Sequence, residues 1–327
     1  MPATSDVTVV MCTRNGLSRG FLDEAMRSVH EQTTTPSEVL LVDDGSTDGT
    51  ASEVRRAYPS VTVLINTGTG LAAARNTGIR AARSSWIAFI DDDDVWRPTK
   101  LSEQLAQIAA SVEPESTIWA SRIAFIGKGS GAPFPRCAPV QFASWPACLL
   151  KCPASPSGVL FSRELFGRVG PLNERISNGA VYEYWIRCLA AGVTVRFSQN
   201  ILLHHRRHQL QMTAPSRLLA LEFVNETLLL ETVLLPYLEK LPPALAARFR
   251  TARILMSLRL LAMRSGVSSA ARYWAGTQMR PARLDLRACA YFVLDSAAAR
   301  APHGAEHLLR TAAVRLLLAD RRGRHVT

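Results

Sequence analysis

Trp86-Ile-Ala-Phe-Ile-Asp-Asp-Asp-Asp-Val-Trp-Arg-Pro-Thr-Lys100 is the stretch on which the fold turns. Its first five residues are apolar, with aromatic and β-branched side chains, the composition of a strand covered on both faces. Asp91, Asp92, Asp93 and Asp94 follow at once. Four adjacent carboxylates repel one another, so the arrangement is costly unless they face water or a cation neutralises them. Hard oxygen ligands favour Mg²⁺ or Mn²⁺, the usual partners of a diphosphate. The plainer alternative is a solvated acidic turn.

Upstream, short β-branched runs alternate with helix-like stretches. Strands are expected over Val7 to Cys12, Val39 to Val42, Val61 to Ile65 and Trp86 to Ile90, with helices over Leu17 to His30, Gly49 to Tyr58 and Leu71 to Arg83. That alternation is the signature of βαβ units. Right-handed crossovers then give an α/β fold: an open, mostly parallel nucleotide-binding sheet with helices on both faces. Ligands bind such sheets outside the carboxyl ends of the strands. There the polar clusters fall: Cys12-Thr13-Arg14-Asn15 after the first strand, Asp43-Asp44-Gly45-Ser46 after the second, the four aspartates after the fourth.

Two of these clusters have simpler readings. In Asp43 to Thr50, Asp48 or Ser46 suits the cap of the next helix, which leaves Asp43 and Asp44 unexplained; a carboxylate there can accept from a base or ribose donor. Asn66-Thr-Gly-Thr-Gly-Leu-Ala-Ala-Ala-Arg75-Asn76 is glycine-rich and opens a helix, but it lacks full GxGxxG spacing and follows the third strand.

Downstream, Pro114 to Pro156 is rich in Pro, Gly and Ser, which predicts irregular loops and short antiparallel strands suited to an acceptor. A helix is expected from near Asn178 to Ala191, then a strand over Val193 to Phe197 and another ending near His205. Beyond Pro215 the pattern is almost wholly helical, broken by Pro236, Pro242-Pro243, Gly266, Pro281 and Pro302. The expected division is residues 1–212 and a basic helical region, 213–327.

Composition narrows the class. The 327 residues, 47% hydrophobic and 20% charged, are ordinary for a globular chain of about two domains. No run of about 18 apolar residues is free of charge, and the first residues lack the basic and apolar segments of a signal peptide; a cytoplasmic location is the expectation. The six cysteines lack paired zinc spacing and disulfide-scaffold density, and read as reduced, mostly buried thiols. Residues 1–240 hold 23 Lys+Arg and 23 Asp+Glu, whereas residues 241–327 hold 15 and 4, so the whole +11 excess lies in the tail. Arg248, Arg250, Arg253, Arg259 and Arg264 flank an apolar stripe of Ile254, Leu255, Leu258, Leu261 and Ala262. Such a face suits an anionic membrane surface, or packing against neighbouring helices or a second subunit. Without interleaved stacking aromatics, nucleic acid is not an expected partner.

Together, Val9 to Asn15, Glu38 to Thr50, Ala73 to Ile79 and Trp86 to Lys100, with the later Ser157 to Glu174 and Tyr184 to Arg187, resemble the inverting family 2 glycosyltransferases of the GT-A fold. The resemblance covers roughly residues 6–212 and ordered motifs carry it. It implies a nucleotide-diphosphate sugar donor, an acceptor hydroxyl, transfer with inversion, and Mn²⁺ or Mg²⁺ as cofactor. Cys12, Thr13, Arg14 and Asp44 would line the nucleotide pocket, with Arg75 near the base or diphosphate. Asp91 or Asp92 would hold the ribose, Asp93 the metal, and His208 would approach the metal or diphosphate.

The chain departs from the family at the catalytic base. The family pattern places a Glu-Asp pair seven residues after the Glu that Glu174 matches and six before the Arg that Arg187 matches; both counts land on Val181. Glu183 is the nearest acid, although at 100° per residue it projects about 200° from position 181; as a charge in the first turn of a helix it needs no catalytic role. Three explanations stay open: Glu183 or a loop acid such as Asp94 serves as base, the acceptor needs little base catalysis, or the domain no longer transfers. The alternatives to a glycosyltransferase are a non-catalytic sugar-nucleotide or glycan-binding scaffold on the same fold and, last, a nucleotidyltransferase, for which the amino-terminal Gly-rich loop and Lys are lacking.

Overall fold

The computed structural model describes residues 3–127, 154–176, 179–208, 210, 211 and 243. The chain divides into two compact units, Met1–Ala214 and Pro215–Thr327. The expected tail helix over Arg248 to Arg264, the acceptor loops over residues 128–153 and the helix start at Asn178 lie outside the described residues.

In chain order the elements are β1 (Ala3–Thr13), α1 (Gly16–Arg19), α2 (Leu22–His30), β2 (Thr34–Asp43), α3 (Thr50–Ala57), β3 (Thr62–Ile65), α4 (Leu71–Ala81), β4 (Trp86–Asp91), β5 (Val95–Trp96), α5 (Lys100–Ala109), β6 (Thr117–Gly127), β7 (Val159–Ser162), α6 (Arg163–Val169), α7 (Ala180–Ala190) and β8 (Thr194–Arg207). They build one mixed, mostly parallel sheet of order β3-β2-β1-β4-β7-β6-β8-β5. The β3-β2-β1-β4 half is parallel throughout; β7 joins it antiparallel to β4.

The parallel half follows from its sequence. Val7, Val9, Val10 and Met11 of β1, Leu40 to Val42 of β2 and Ile87 to Ile90 of β4 are almost wholly buried, as strands covered on both faces must be. Each such side chain contributes about 1.5–3 kcal/mol on leaving water. In α2, Leu22, Ala25, Met26 and Val29 are buried at helical spacing. α4 presents Ala72, Ala73, Ala74 and Gly78; a Cβ at Gly78 would lie 2.3 Å from Val10 Cγ1, so only glycine allows this approach to β1.

Three expectations need correction. Leu17 to His30 is two helices, because Gly20 turns left-handed at φ 74° and ends the first after one turn. The region after Pro114 holds an eleven-residue strand, β6, that pairs parallel with β8 as well as antiparallel with β7. The two strands expected between Val193 and His205 are one continuous strand, Thr194–Arg207, with register shifts opposite Ala120 to Ile123.

Candidate functional site

Register gathers the polar clusters. Cys12 lies beside Asp91, and Thr13 beside Asp43, which in turn neighbours Ile65. The ends of β1, β2, β3 and β4 thus finish together.

Backbone bonds fix the turns that follow. Asp44 N donates to Thr13 O and Asn66 N to Asp43 O, each at 2.9 Å. Asp43 accepts from Ser46 N at 2.8 Å, closing its own turn. Asn15 is left-handed at φ 55°, a conformation asparagine tolerates; its N donates to Ser46 Oγ and its Oδ1 accepts from Thr47 N. Asp44 Oδ1 accepts from Asn66 Nδ2 at 2.7 Å and Gly70 N at 3.1 Å, folding the glycine-rich loop onto the second strand's end. Its Oδ2 has no partner among the described residues. Arg14 is exposed at the rim. Cys12 is buried, and burial, more than the charges around it, pushes its thiol up to about 12; it is a neutral lining group, not a nucleophile.

Each of the four aspartates has its own cationic or imidazole partner. Asp91 meets Arg75 of α4 at 2.6 Å. Asp92 is buried against Arg19 of α1 and accepts from Thr13 Oγ1. Asp93 faces His208, Nε2 to Oδ2 at 2.9 Å. Asp94, with no exposed surface, accepts from Arg206 N at 2.9 Å and pairs with His205 Nδ1 at 3.0 Å. A glycine is required nearby, since a Cβ at Gly16 would lie 2.5 Å from Thr13 Oγ1.

This pairing offsets only part of the cost of burying the cluster. Burial pushes Asp92 up to about 7, although Arg19 and Thr13 favour its ionised form. Burial and the charges of Asp94 and Asp91 also raise Asp93. For His205 burial works against the imidazolium, but the hydrogen bond and charge of Asp94 outweigh it and the net shift is upward.

The partners decide which residues fit a divalent cation. Asp91 and Asp92 are committed to guanidinium groups, and Asp94 is sealed from solvent. Asp93 and His208 remain, a carboxylate and an imidazole both capable of ligating. Among the described residues no three His, Cys, Asp or Glu side chains converge on one metal position. A cation held by Asp93 and His208 would therefore complete its shell with ligand oxygens and water, as Mg²⁺ commonly does.

The region around position 181 has a different character. Val181 is buried in the first turn of α7. Glu183 is 3% exposed and both its oxygens are bonded to Arg187, at 2.5 and 3.0 Å. The same guanidinium donates to Val169 O at 2.8 Å and Pro171 O at 2.7 Å, so the pair ties α7 to the end of α6. Both oxygens of Glu183 are thus engaged by Arg187, and those of Asp94 by Arg206 N and His205.

Sequence reasoning passed over Arg19, Asn66, His205 and Ser157, whose hydroxyl accepts from Asp91 N at 3.0 Å. Asn66 and Ser157 each opened a stretch already singled out and His205 lies three residues before His208, but none of them had been given a role; Arg19 carried no local signal.

Residues 8–134 match the model of "Glycosyl transferase family 2". An Escherichia coli UDP-Glc:alpha-D-GlcNAc-diphosphoundecaprenol beta-1,3-glucosyltransferase is 26% identical over 185 residues, 56% of this chain and 70% of the relative. Of three other bacterial relatives, 23% to 36% identical, the chain spans only 26% to 56% of the length. Among solved structures, S. aureus TarS in complex with UDP aligns over 85% of this chain and 94% of its own, with TM-score 0.53 and 14% identity. The Pyrobaculum calidifontis mannosyltransferase PcManGT, in complex with GDP-Man and Mn²⁺, aligns over 97% and 86%, with TM-score 0.56 and 18% identity. At such identities the structural likeness speaks to the fold alone.

Proposed function

We propose that the protein, whose residues 8–134 match the model of "Glycosyl transferase family 2", is a glycosyltransferase of that family and transfers a sugar from a nucleotide-diphosphate donor to an acceptor hydroxyl, with inversion and with help from Mn²⁺ or Mg²⁺. The observation that carries this reading is the separate pairing of the four aspartates: two face guanidinium groups, and of the two that face an imidazole Asp94 is sealed from solvent, which leaves Asp93 with His208 at the end of the central strands. The solved structures that share the fold hold UDP or GDP-Man, which supports a donor of that class.

In this reading Cys12, Thr13 and Arg14 line the nucleotide, the free Oδ2 of Asp44 accepts from the base, Asp91 with Arg75 faces the ribose and diphosphate, and Arg19 keeps Asp92 compensated. Asp93 and His208 would hold the cation, which when bound stabilises charge on the departing diphosphate as a Lewis acid. The acceptor oxygen attacks the anomeric carbon as the bond to the diphosphate breaks, through an oxocarbenium-like state. Its proton passes to water or to a neighbouring base, since Val181 has no titratable group and Glu183 is bound to Arg187. Residues 1–212 are the proposed transferase domain.

For the basic region, residues 213–327, we propose contact with an anionic membrane on the cytoplasmic side; a relative named for a diphosphoundecaprenol-linked acceptor supports this. Among the described residues no helix is long and apolar enough to cross a membrane.

The test is release of nucleoside diphosphate from a panel of UDP- and GDP-sugars in Mn²⁺, with the anomeric configuration of the product read by NMR. Release with inverted configuration is expected; retention would refute the inverting reading. Val181 favours a second reading, a binding scaffold without turnover. Under that reading wild type binds donor without release and Val181→Asp gains transfer.

A further inference from the structure

Lys100 opens α5 with its side chain fully buried. Its ammonium lies 3.9 Å from the centroid of the Trp96 ring and donates to Gln104 Oε1 at 2.8 Å. Among the described residues no carboxylate compensates it, and burial holds it well below the usual lysine range. An ammonium in that position is a cost to folding, and a methionine would fill the same space without it.

What the ammonium does is orient two neighbours. A glutamine amide can rotate to exchange its donor and acceptor ends. With Oε1 held by Lys100, Gln104 Nε2 is directed at Trp119 O, 2.8 Å away, and at Gly158 O, 3.0 Å away. The Trp96 ring, one face under the ammonium, points Nε1 at Ser157 O at 2.7 Å. Two consecutive carbonyls of the helical turn Pro156–Gly158 are thereby pinned. The turn has no slack on its other side, since a Cβ at Gly158 would lie 2.7 Å from Ser121 Oγ. The same turn carries the buried Ser157 hydroxyl, which accepts from Asp91 N.

We infer that Lys100 is a positioning residue of the donor site: through Trp96 and Gln104 it holds the Ser157 turn, and the Ser157 hydroxyl sets the backbone at Asp91, where the carboxylate meets Arg75. Its consequence for binding rests on the nucleotide-donor reading; the link to Asp91 does not.

Two measurements on the full chain separate these. Hydrogen exchange of the peptide holding Asp91 N–H, without ligand, reads the link directly. Calorimetric titration of UDP and GDP in Mn²⁺ reads its consequence. Lys100→Met and Ser157→Ala are expected to speed exchange at Asp91 while the β2 peptide keeps its protection, and to weaken nucleotide binding roughly 3- to 10-fold, the size of one lost buried link. Should Lys100→Met fail to fold, Trp96→Phe, which keeps a ring under the ammonium but removes Nε1, decides the same point. Unchanged exchange at Asp91 in these variants overturns the inference, as does faster exchange with unchanged nucleotide affinity. If wild type binds neither nucleotide, the donor reading fails and exchange alone decides the role of Lys100.

Discussion

His208 Nε2 stands 2.9 Å from Asp93 Oδ2, whereas the neighbouring Asp91 and Asp92 each face a guanidinium. A guanidinium cannot ligate a cation and an imidazole can; the other imidazole-paired carboxylate, Asp94, has no exposed surface, so Asp93 is the one of the four that combines an imidazole partner with access to solvent. His208→Ala is expected to weaken Mn²⁺ affinity, measured by calorimetry in the presence of UDP or GDP, at least about tenfold. The tilted ring contact of His208 with Phe21, centroids 4.7 Å apart, is also lost, so the variant's unliganded melting point should be recorded beside the titration.

Glu183 and Arg187 are expected to matter for stability and not for turnover. Arg187→Met would leave a buried carboxylate unpaired and free the carbonyls of Val169 and Pro171. Removing one partner of such a pair costs about 3–5 kcal/mol, readable by urea unfolding. Glu183→Gln should lower stability less, and kcat per folded molecule should stay at the wild-type value. A large fall in kcat at unchanged stability would restore Glu183 as a base.

Packing of α4 on β1 gives a steric prediction. In Gly78→Ala the new methyl would meet Val10 Cγ1 at 2.3 Å. Overpacking of this kind costs about 1–3 kcal/mol, against about 1 kcal/mol gained in helix propensity, so a net loss of stability is expected. Val10→Ala in the same molecule should recover part of it, because neighbouring sites are not additive; full additivity would contradict the contact.

Asp48 sets an acid limb. Slight burial acts to raise its pKa, but hydrogen bonds from Thr50 and Ser18 outweigh it and hold the carboxyl down at about 2. A folded-state value below the unfolded one contributes stability that is present above about pH 4 and is lost as the pH falls towards 2. The stability gap between wild type and Asp48→Asn should therefore be constant above about pH 5 and close on acidification. A gap that widens towards low pH would contradict the sign.

The parallel half of the sheet was legible because Val9-Val10-Met11, Leu40-Leu41-Val42 and Ile87 to Ile90 announce themselves by composition. The acidic turn was legible because four adjacent carboxylates demand compensation. What compensates them was legible only in part: the family resemblance singled out Arg75 and His208, whereas Arg19 and His205 come from elements far apart in the chain and carry no sign of the contacts the fold gives them. β6 and β8 were harder because their parallel pairing carries register shifts that leave no mark in hydrophobic period. Lys100 escaped notice because a lysine at a helix start reads as solvated surface.

The central claim is a metal-assisted nucleotide-diphosphate site built on Asp93. The measurement that reaches it most directly is thermal stability of wild type and Asp93→Asn with UDP or GDP, in Mn²⁺ and then in EDTA. A nucleotide at about 100 times its Kd stabilises the folded state by roughly 2.7 kcal/mol. The account predicts that shift for wild type in Mn²⁺ and its loss both in EDTA and in Asp93→Asn. Equal stabilisation of wild type and Asp93→Asn, or none in either condition, would contradict it.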